Sequence, residues 1–193
     1  MSSVLLDLEN PMWLPKMNRI FIITSNSVDT FKPLSINSLT SYGRLDVLCR
    51  CISTAFFLSN NFRKDVLLYV YFVINKTILQ ITGENVHGIN PDERAIAGIL
   101  KRVFRGFPHP GIRFYSGNLE NLLTKHEPVM LDIHGEVNHK RISTYQSFII
   151  GDQLGYPSED ETILSKLKRV SLGSDEYLSS QTITILNYML DQE

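Results

Sequence analysis

The stretch from Asp65 to Val73 (DVLLYVYFV) constrains the fold most, because it is one unbroken apolar run rich in Val and Tyr. A run of this length and composition is typical of a strand that is buried on both faces of a parallel sheet. It is far shorter than the roughly 20 apolar residues that a membrane span needs. A second β-rich run covers Arg19 to Thr24, and helical patterns separate the runs. The sequence therefore predicts an α/β domain with a largely parallel sheet.

Helices are indicated where apolar residues recur three and four positions apart. After Gly43 such a pattern predicts a helix that ends near Asn60-Asn61. Asn90 and Pro91 provide an N-cap and a first helical residue for a second helix, which continues to about Phe104. The other predicted elements are strands at 78–82, 112–115, 129–133, 148–151 and 169–172, and helices at 119–125, 160–168 and 179–190.

Length and composition favour one globular domain, since the chain has 193 residues of which 43% are hydrophobic. Cys49 and Cys51 are two positions apart, so on a helix they point in different directions and favour neither a disulfide nor a shared metal site. The five His residues show no metal-ligand spacing, and we expect no metal. Residues 1–16 lack a basic signal-peptide region, so we expect an N-terminal extension before a domain at 17–193, in a cytoplasmic protein.

The net charge of −1 hides two charged regions of opposite sign. Residues 41–113 carry a net charge of +5, whereas residues 114–193 carry −6. A cationic middle region suits phosphate groups, although solvated helix faces would give the same count. The basic residues that form it include Arg44, Arg50, Arg63, Lys64, Arg94, Lys101, Arg102 and Arg105.

Three predicted strands in the last third of the chain are followed by small or polar residues, at 131–135, 151–155 and 172–176. In open parallel sheets, ligands bind outside the carboxyl ends of the strands. Glycine in such loops lets backbone groups approach a ligand closely. The three loops predict a shared ligand pocket, with simple strand-to-helix turns as the alternative.

Arg44 and Asp46 place a base and an acid at the start of the first predicted helix. Asp46 in a first helical turn is explained by the helix dipole, with Arg44 as its local partner. A carboxylate held there could also accept a proton or orient an N–H group of a substrate. The residues alone therefore indicate an α/β domain with a ligand pocket.

Several longer motifs, in order and in register, resemble the archaeal tRNA (pseudouridine(54)-N1)-methyltransferase family, a branch of the SPOUT methyltransferases. The similarity extends from about Met17 to Asp191. The motifs are GRLDVLCRC, AFFLS, FRKDV, NPDERAIAGILKR, PGI, FIIGDQLG and VSLG.

This resemblance implies a SPOUT-type α/β fold with a C-terminal trefoil knot, in which the knot and the cofactor loops occupy about 128–191. It also implies a homodimer that has no membrane segment. S-adenosylmethionine is expected to bind mainly to backbone groups of the three loops, and Thr182 is expected to line its pocket. The implied cofactor contacts are Leu131, Gly151, Leu172, Gly173, Ser174, Asp175, Glu176 and Tyr177.

The implied reaction transfers a methyl group to N1 of pseudouridine 54 in the T-loop of tRNA. In that reaction Asp46 would contact or deprotonate the N1–H group, while Arg44 would stabilise the developing anion or bind phosphate. The expected RNA contacts are Tyr42, which could stack on a base or pack on the first helix, and Arg50, Arg63, Lys64 and Arg94.

Two other functions remain open at this point. A related SPOUT branch methylates pseudouridine in ribosomal RNA. The second is a non-catalytic RNA-binding protein that keeps the fold and has lost methyl transfer. This alternative stays open because Thr182 stands where relatives commonly have Cys. Ser174 and Asp175 likewise replace a Pro-Leu pair that is common in relatives.

Overall fold

The computed structural model describes residues 19–137 and 142–192. The predicted extension at 1–16 therefore lies outside the described residues. Seven strands form one sheet: β1 Arg19–Ser25, β2 Val66–Phe72, β3 Thr77–Thr82, β4 Ile112–Ser116, β5 Val129–Val137, β6 Ser147–Ile150 and β7 Arg169–Ser171. The helices are α1 Leu45–Phe56, α2 Glu93–Phe104, α3 Leu119–His126, α4 Glu161–Leu164 and α5 Ser179–Leu190.

The strand order across the sheet is β4-β3-β2-β1-β6-β5-β7. The strands β2, β1, β6, β5 and β7 run parallel to one another. Strand β3 pairs antiparallel with β2, and the edge strand β4 pairs antiparallel with β3. The structure therefore confirms the prediction of a largely parallel α/β sheet. The apolar strand β2 is buried as predicted, but only one of its neighbours is parallel, because a short turn leads directly into β3.

Helices cover both faces of the sheet. On one face α1 packs against α2 and α5, and their apolar residues join those of β1 and β2 in the larger core. On the other face α3 and α4 pack through Leu119, Leu122 and Leu164 against a smaller core that contains Tyr69 and Tyr71. Within the described ranges, no helix is long and apolar enough to cross a membrane.

Three predicted helices differ from the observed ones. Helix α1 ends at Phe56, before the predicted end near Asn60-Asn61. Helix α2 begins at Glu93 and is capped by Asp92, whose carboxylate accepts a hydrogen bond from Ala95 N at 2.9 Å. Asn90 is therefore not the N-cap. The helix predicted at 160–168 shortens to Glu161–Leu164, because the chain must rejoin the sheet before β7. The Lys168 carbonyl already accepts a hydrogen bond from Met130 N at 2.8 Å.

Candidate functional site

A cavity of about 610 Å³ lies at the carboxyl ends of β6 and β7 and at the point where β5 is interrupted after Leu131. This volume is within the roughly 300–1,000 Å³ that is typical of small-molecule sites. The cavity is lined by residues of all three predicted loops, by the start of α5 and by the turn before α1. The strand ends meet because parallel strands place their carboxyl ends at the same edge of the sheet.

Most of the residues predicted to contact a cofactor line this cavity. They are Leu131, Gly151, Leu172, Asp175, Glu176, Tyr177 and Thr182. Gly173 and Ser174 belong to the same loop but are not among the lining residues. Thr182 is buried in the first turn of α5, so its side chain forms part of the wall rather than the mouth.

The loop after Leu131 is a break inside β5 rather than the end of the strand. Leu131 and Glu136 both pair with Val170 of β7, so residues 132–135 protrude from the ladder. Asp132 fixes the protrusion, because its carboxylate accepts hydrogen bonds from His134 N at 2.9 Å and from Arg169 Nη1 at 3.0 Å. The chain then returns to the sheet at Gly135, where a Cβ atom would lie 2.6 Å from the Val170 backbone.

Two hydroxyl groups that the sequence analysis missed hold the strand ends in place. The buried Tyr156 hydroxyl lies 2.7 Å from the Leu131 carbonyl and 2.9 Å from the Ile149 carbonyl, so it bridges β5 and β6. Burial raises the pKa of Tyr156, which keeps the hydroxyl protonated and able to donate. Ser179 Oγ donates to the Gly151 carbonyl at 2.7 Å and ties α5 to β6. The sequence offered one signal for each residue: Tyr156 directly follows a glycine-containing loop, and Ser179 stands at the start of a predicted helix.

The loop at 151–155 is bonded to the end of β1. Asp152 accepts hydrogen bonds from Asn26 N at 2.6 Å and from Asn26 Nδ2 at 2.8 Å. Gln153 Nε2 donates to Ser27 Oγ at 3.0 Å, and Ser27 Oγ donates to the Gly43 carbonyl at 2.8 Å. A set of hydrogen bonds therefore joins the loop at 151–155 to the turn that carries Arg44.

The turn before α1 requires glycine at position 43. Gly43 and Arg44 both adopt left-handed conformations, with φ of 59° and 61°. A Cβ atom on Gly43 would lie 2.1 Å from the carbonyl oxygen of Ser27. This turn directs the Arg44 side chain towards the cavity, and Arg44 is one of the residues that line the cavity.

Arg44 is held by Asp46 through two hydrogen bonds, from Nε to Oδ1 at 3.0 Å and from Nη2 to Oδ2 at 3.1 Å. Arg50 also donates to Asp46 Oδ2, at 2.9 Å, and to Glu93 of α2, at 3.0 Å. Burial disfavours the Asp46 carboxylate, but the two guanidinium groups outweigh it and hold the pKa of Asp46 below its ordinary value. Asp46 is not among the lining residues, so its effect on the cavity passes through Arg44.

Two of the predicted RNA contacts, Tyr42 and Arg50, make hydrogen bonds to other residues of the domain. The Tyr42 hydroxyl lies within hydrogen-bond distance of the carbonyl oxygens of Asp29 and Lys32, at 2.5 and 2.7 Å. Its ring packs against the larger core, as the non-functional alternative predicts. Arg50 pairs with two carboxylates between α1 and α2.

Arg63 and Lys64 lie at the amino end of the sheet, opposite the cavity. Arg63 donates two hydrogen bonds to Asp191, and its side chain is only 9% exposed. Asp191 also pairs with Arg19, the first residue of β1. The long-range pair with Asp191 occupies the guanidinium group of Arg63 inside the domain, and contact of Arg63 with RNA stays a prediction. Lys64 and Arg94 are exposed.

The described residues contain no cluster of His, Cys, Asp and Glu side chains that could hold a metal ion. Cys49 and Cys51 are buried and unpaired. Burial raises the pKa of each thiol to about 12. Both cysteines are therefore inert core residues rather than nucleophiles.

The sheet is mostly parallel and has a cavity at its carboxyl end, lined by loops that contain glycine. These features define the class of α/β proteins that bind a small ligand at that end of the sheet. The fold is shared with the crystal structure of Archaeoglobus fulgidus Nep1 bound to S-adenosylhomocysteine, which has a SPOUT fold. The TM-score is 0.70 at 14% identity, over 91% of this chain and 98% of that chain.

Residues 18–193 match the family described as "putative SAM-dependent RNA methyltransferase", and the chain belongs to this family. A curated relative from Methanocaldococcus jannaschii, named tRNA (pseudouridine(54)-N(1))-methyltransferase, is 34% identical over 91% of this chain and 97% of its own length. The relative of the same name from Thermococcus gammatolerans is 33% identical over 90% and 96%. These similarities confirm the resemblance that the sequence motifs indicate.

Proposed function

We propose that this protein transfers the methyl group of S-adenosylmethionine to N1 of pseudouridine 54 in the T-loop of tRNA. The observation that carries the proposal is the end-to-end similarity to relatives that bear this name, which spans every loop of the cavity.

The residues of the cavity fit S-adenosylmethionine in size and in charge. Four carboxylates line it, those of Asp132, Asp152, Asp175 and Glu176, against one guanidinium group. An acidic lining suits a cationic sulfonium compound. The backbone groups around Leu131, Gly151 and Leu172 would hold the adenosine part, and the exposed Asp175 and Glu176 could accept hydrogen bonds from its hydroxyl or ammonium groups. The bound compound supplies an electrophilic methyl group.

Arg44 lines the cavity together with residues of the three loops, and we infer that the pyrimidine enters beside it. Its guanidinium group would stabilise negative charge that develops on the base as N1 loses its proton. Asp46 holds Arg44 in that orientation, and Arg50 in turn donates a hydrogen bond to Asp46. Because two guanidinium groups already satisfy Asp46, this carboxylate is a weak proton acceptor, and we propose that it acts through Arg44.

We also infer a homodimer, a trefoil knot at about 128–191 and a cytoplasmic location, all of which rest on the family resemblance. Exposed apolar side chains near the cavity, Leu154 and Leu178, support a partner surface beside the site. Sedimentation at micromolar concentration would test the dimer.

The function is tested by incubation with labelled S-adenosylmethionine and matched tRNA transcripts that carry uridine or pseudouridine at position 54. Label in the pseudouridine transcript alone supports the proposal. Transfer to a ribosomal RNA fragment that contains pseudouridine, but not to tRNA, would instead support the related SPOUT activity. Tight binding of S-adenosylmethionine without transfer to any of these RNAs would support the non-catalytic alternative.

A further inference from the structure

Phe31 is the most exposed large apolar side chain in the described part of the protein, at 71%. It lies in the turn formed by residues 29–32, which follows the carboxyl end of β1. The neighbouring Lys32 is 72% exposed. The exposed phenyl ring therefore lies at the carboxyl end of the parallel strands, which is also the end that carries the cavity.

The turn that carries Phe31 is held by hydrogen bonds on three sides. The Asp29 side chain accepts from Phe31 N at 3.1 Å and from Asn75 Nδ2 at 3.0 Å. Asn75 Oδ1 accepts from Thr30 N at 2.7 Å and from Thr30 Oγ1 at 3.0 Å. The Tyr42 hydroxyl contacts the carbonyls on either side of the turn. The ring is thus displayed by a rigid support, which lowers the entropy cost of binding.

The same support links Phe31 to the proposed active site. Tyr42 lies two residues before Arg44, and Arg44 lines the cavity. Adjacent strands are about 4.8 Å apart, and β1 is the immediate neighbour of β6. A nucleic acid strand that reaches Arg44 would therefore pass close to the turn.

The surroundings of Phe31 suit a nucleic acid. Lys32 pairs with Asp29 at 3.6 Å, and Lys76 pairs with Glu159 at 3.9 Å. Exposed pairs this loose contribute little, so both ammonium groups can exchange their carboxylate for a phosphate. A flat aromatic ring beside flexible cations is the combination that binds unpaired nucleotides, by stacking and by charge.

We propose that Phe31 stacks on an unpaired nucleobase of the RNA, next to the nucleotide that enters the cavity. Tyr42 was a candidate either for stacking on a base or for packing on the first helix, and its hydroxyl supports the turn that exposes Phe31. The inference rests on the proposed function for the identity of the RNA, but stacking itself can be measured without methyl transfer.

The test uses the full chain with S-adenosylhomocysteine and a T-arm RNA that contains pseudouridine. Phe31→Ala should weaken RNA binding by about 5- to 150-fold, the range that the loss of one base–aromatic stack gives. Phe31→Trp should restore binding, whereas Phe31→Leu, which is apolar but not aromatic, should restore it poorly. Phe107→Ala is the matched control, because Phe107 is also exposed but follows α2 beside the opposite edge of the sheet.

A spectroscopic readout separates direct stacking from an indirect effect. Trp13 is the only tryptophan of the chain, so Phe31→Trp in a Trp13→Phe background gives a single reporter. RNA should quench its fluorescence, and RNA should leave the matched Phe107→Trp reporter unchanged. If quenching occurs without methyl transfer, the proposed function fails and the stacking site stands.

Unchanged RNA affinity in Phe31→Ala, or an unquenched Trp at position 31 in bound RNA, would overturn the inference. A fall of Phe31→Ala from dimer to monomer in sedimentation would overturn it as well, because a second copy of the chain would then be what covers the ring.

Discussion

Arg44 donates two hydrogen bonds to Asp46 across a single intervening residue, at 3.0 and 3.1 Å. Arg44 lines the cavity, whereas Asp46 is buried behind it. The guanidinium group of Arg44 therefore faces the cavity, and the Asp46 carboxylate behind it fixes the orientation of that group.

Asp46→Asn should lower the rate of methyl transfer at least about tenfold, because a misaligned catalytic group costs rate steeply. Binding of S-adenosylhomocysteine should be unchanged, since Asp46 does not line the cavity. Kinetics and calorimetry on the same sample would check both parts. Glu93→Gln is the matched control, because it removes the other partner of Arg50 and leaves the Arg44 pair intact. Undiminished turnover in Asp46→Asn would show that Asp46 merely begins a helix.

Gly43→Ala should lower the free energy of unfolding by more than about 2 kcal/mol, since alanine is both strained at φ 59° and in collision with Ser27. Gly98→Ala is its counterpart inside α2, where a Cβ atom meets nothing within 4 Å. That substitution should stabilise the protein by about 0.5–1 kcal/mol, because it improves helix propensity. Urea denaturation of the two variants measures the difference. Equal effects would contradict the described packing of the Gly43 turn.

Arg63→Ala should destabilise the fold by roughly 2 kcal/mol, the value of a hydrogen-bonded charge. Its tRNA affinity should match that of the parent chain, because Arg63 lies at the end of the sheet opposite the cavity. Thermal unfolding and filter binding would report the two quantities. A loss of tRNA affinity with unchanged stability would restore Arg63 as an RNA contact.

The same cluster predicts a dependence of stability on pH. Hydrogen bonds from Arg63 and Arg19 hold the pKa of Asp191 below its ordinary value, although partial burial opposes them. A lowered pKa means that the stabilisation is complete above about pH 4 and is lost as the pH falls through the lowered value. The stability difference between the parent chain and Asp191→Asn should therefore shrink below about pH 4. A difference that grows on acidification would contradict the assigned ion pairs.

The sequence was sufficient to predict the cavity, because it depends on local strand patterns and on the rule that parallel strands share a carboxyl edge. It could not reveal the role of Arg63, since its partner Asp191 is 128 residues away. The protrusion at 132–135 could not be predicted from the sequence either. It arises because Leu131 and Glu136 both pair with Val170 of β7, and the composition of residues 132–135 does not indicate that pairing. Tyr42 was assigned by its proximity to Arg44, but only the folded turn shows that its hydroxyl faces inward.

The central claim is that the chain methylates N1 of pseudouridine 54. Its most direct test is digestion of the reacted tRNA to nucleosides, followed by chromatography and mass spectrometry. We expect N1-methylpseudouridine as the single new methylated nucleoside, derived from position 54, and no methylated nucleoside when that position is uridine. A methyl group on a ribose, on another base, or on the uridine transcript would contradict it.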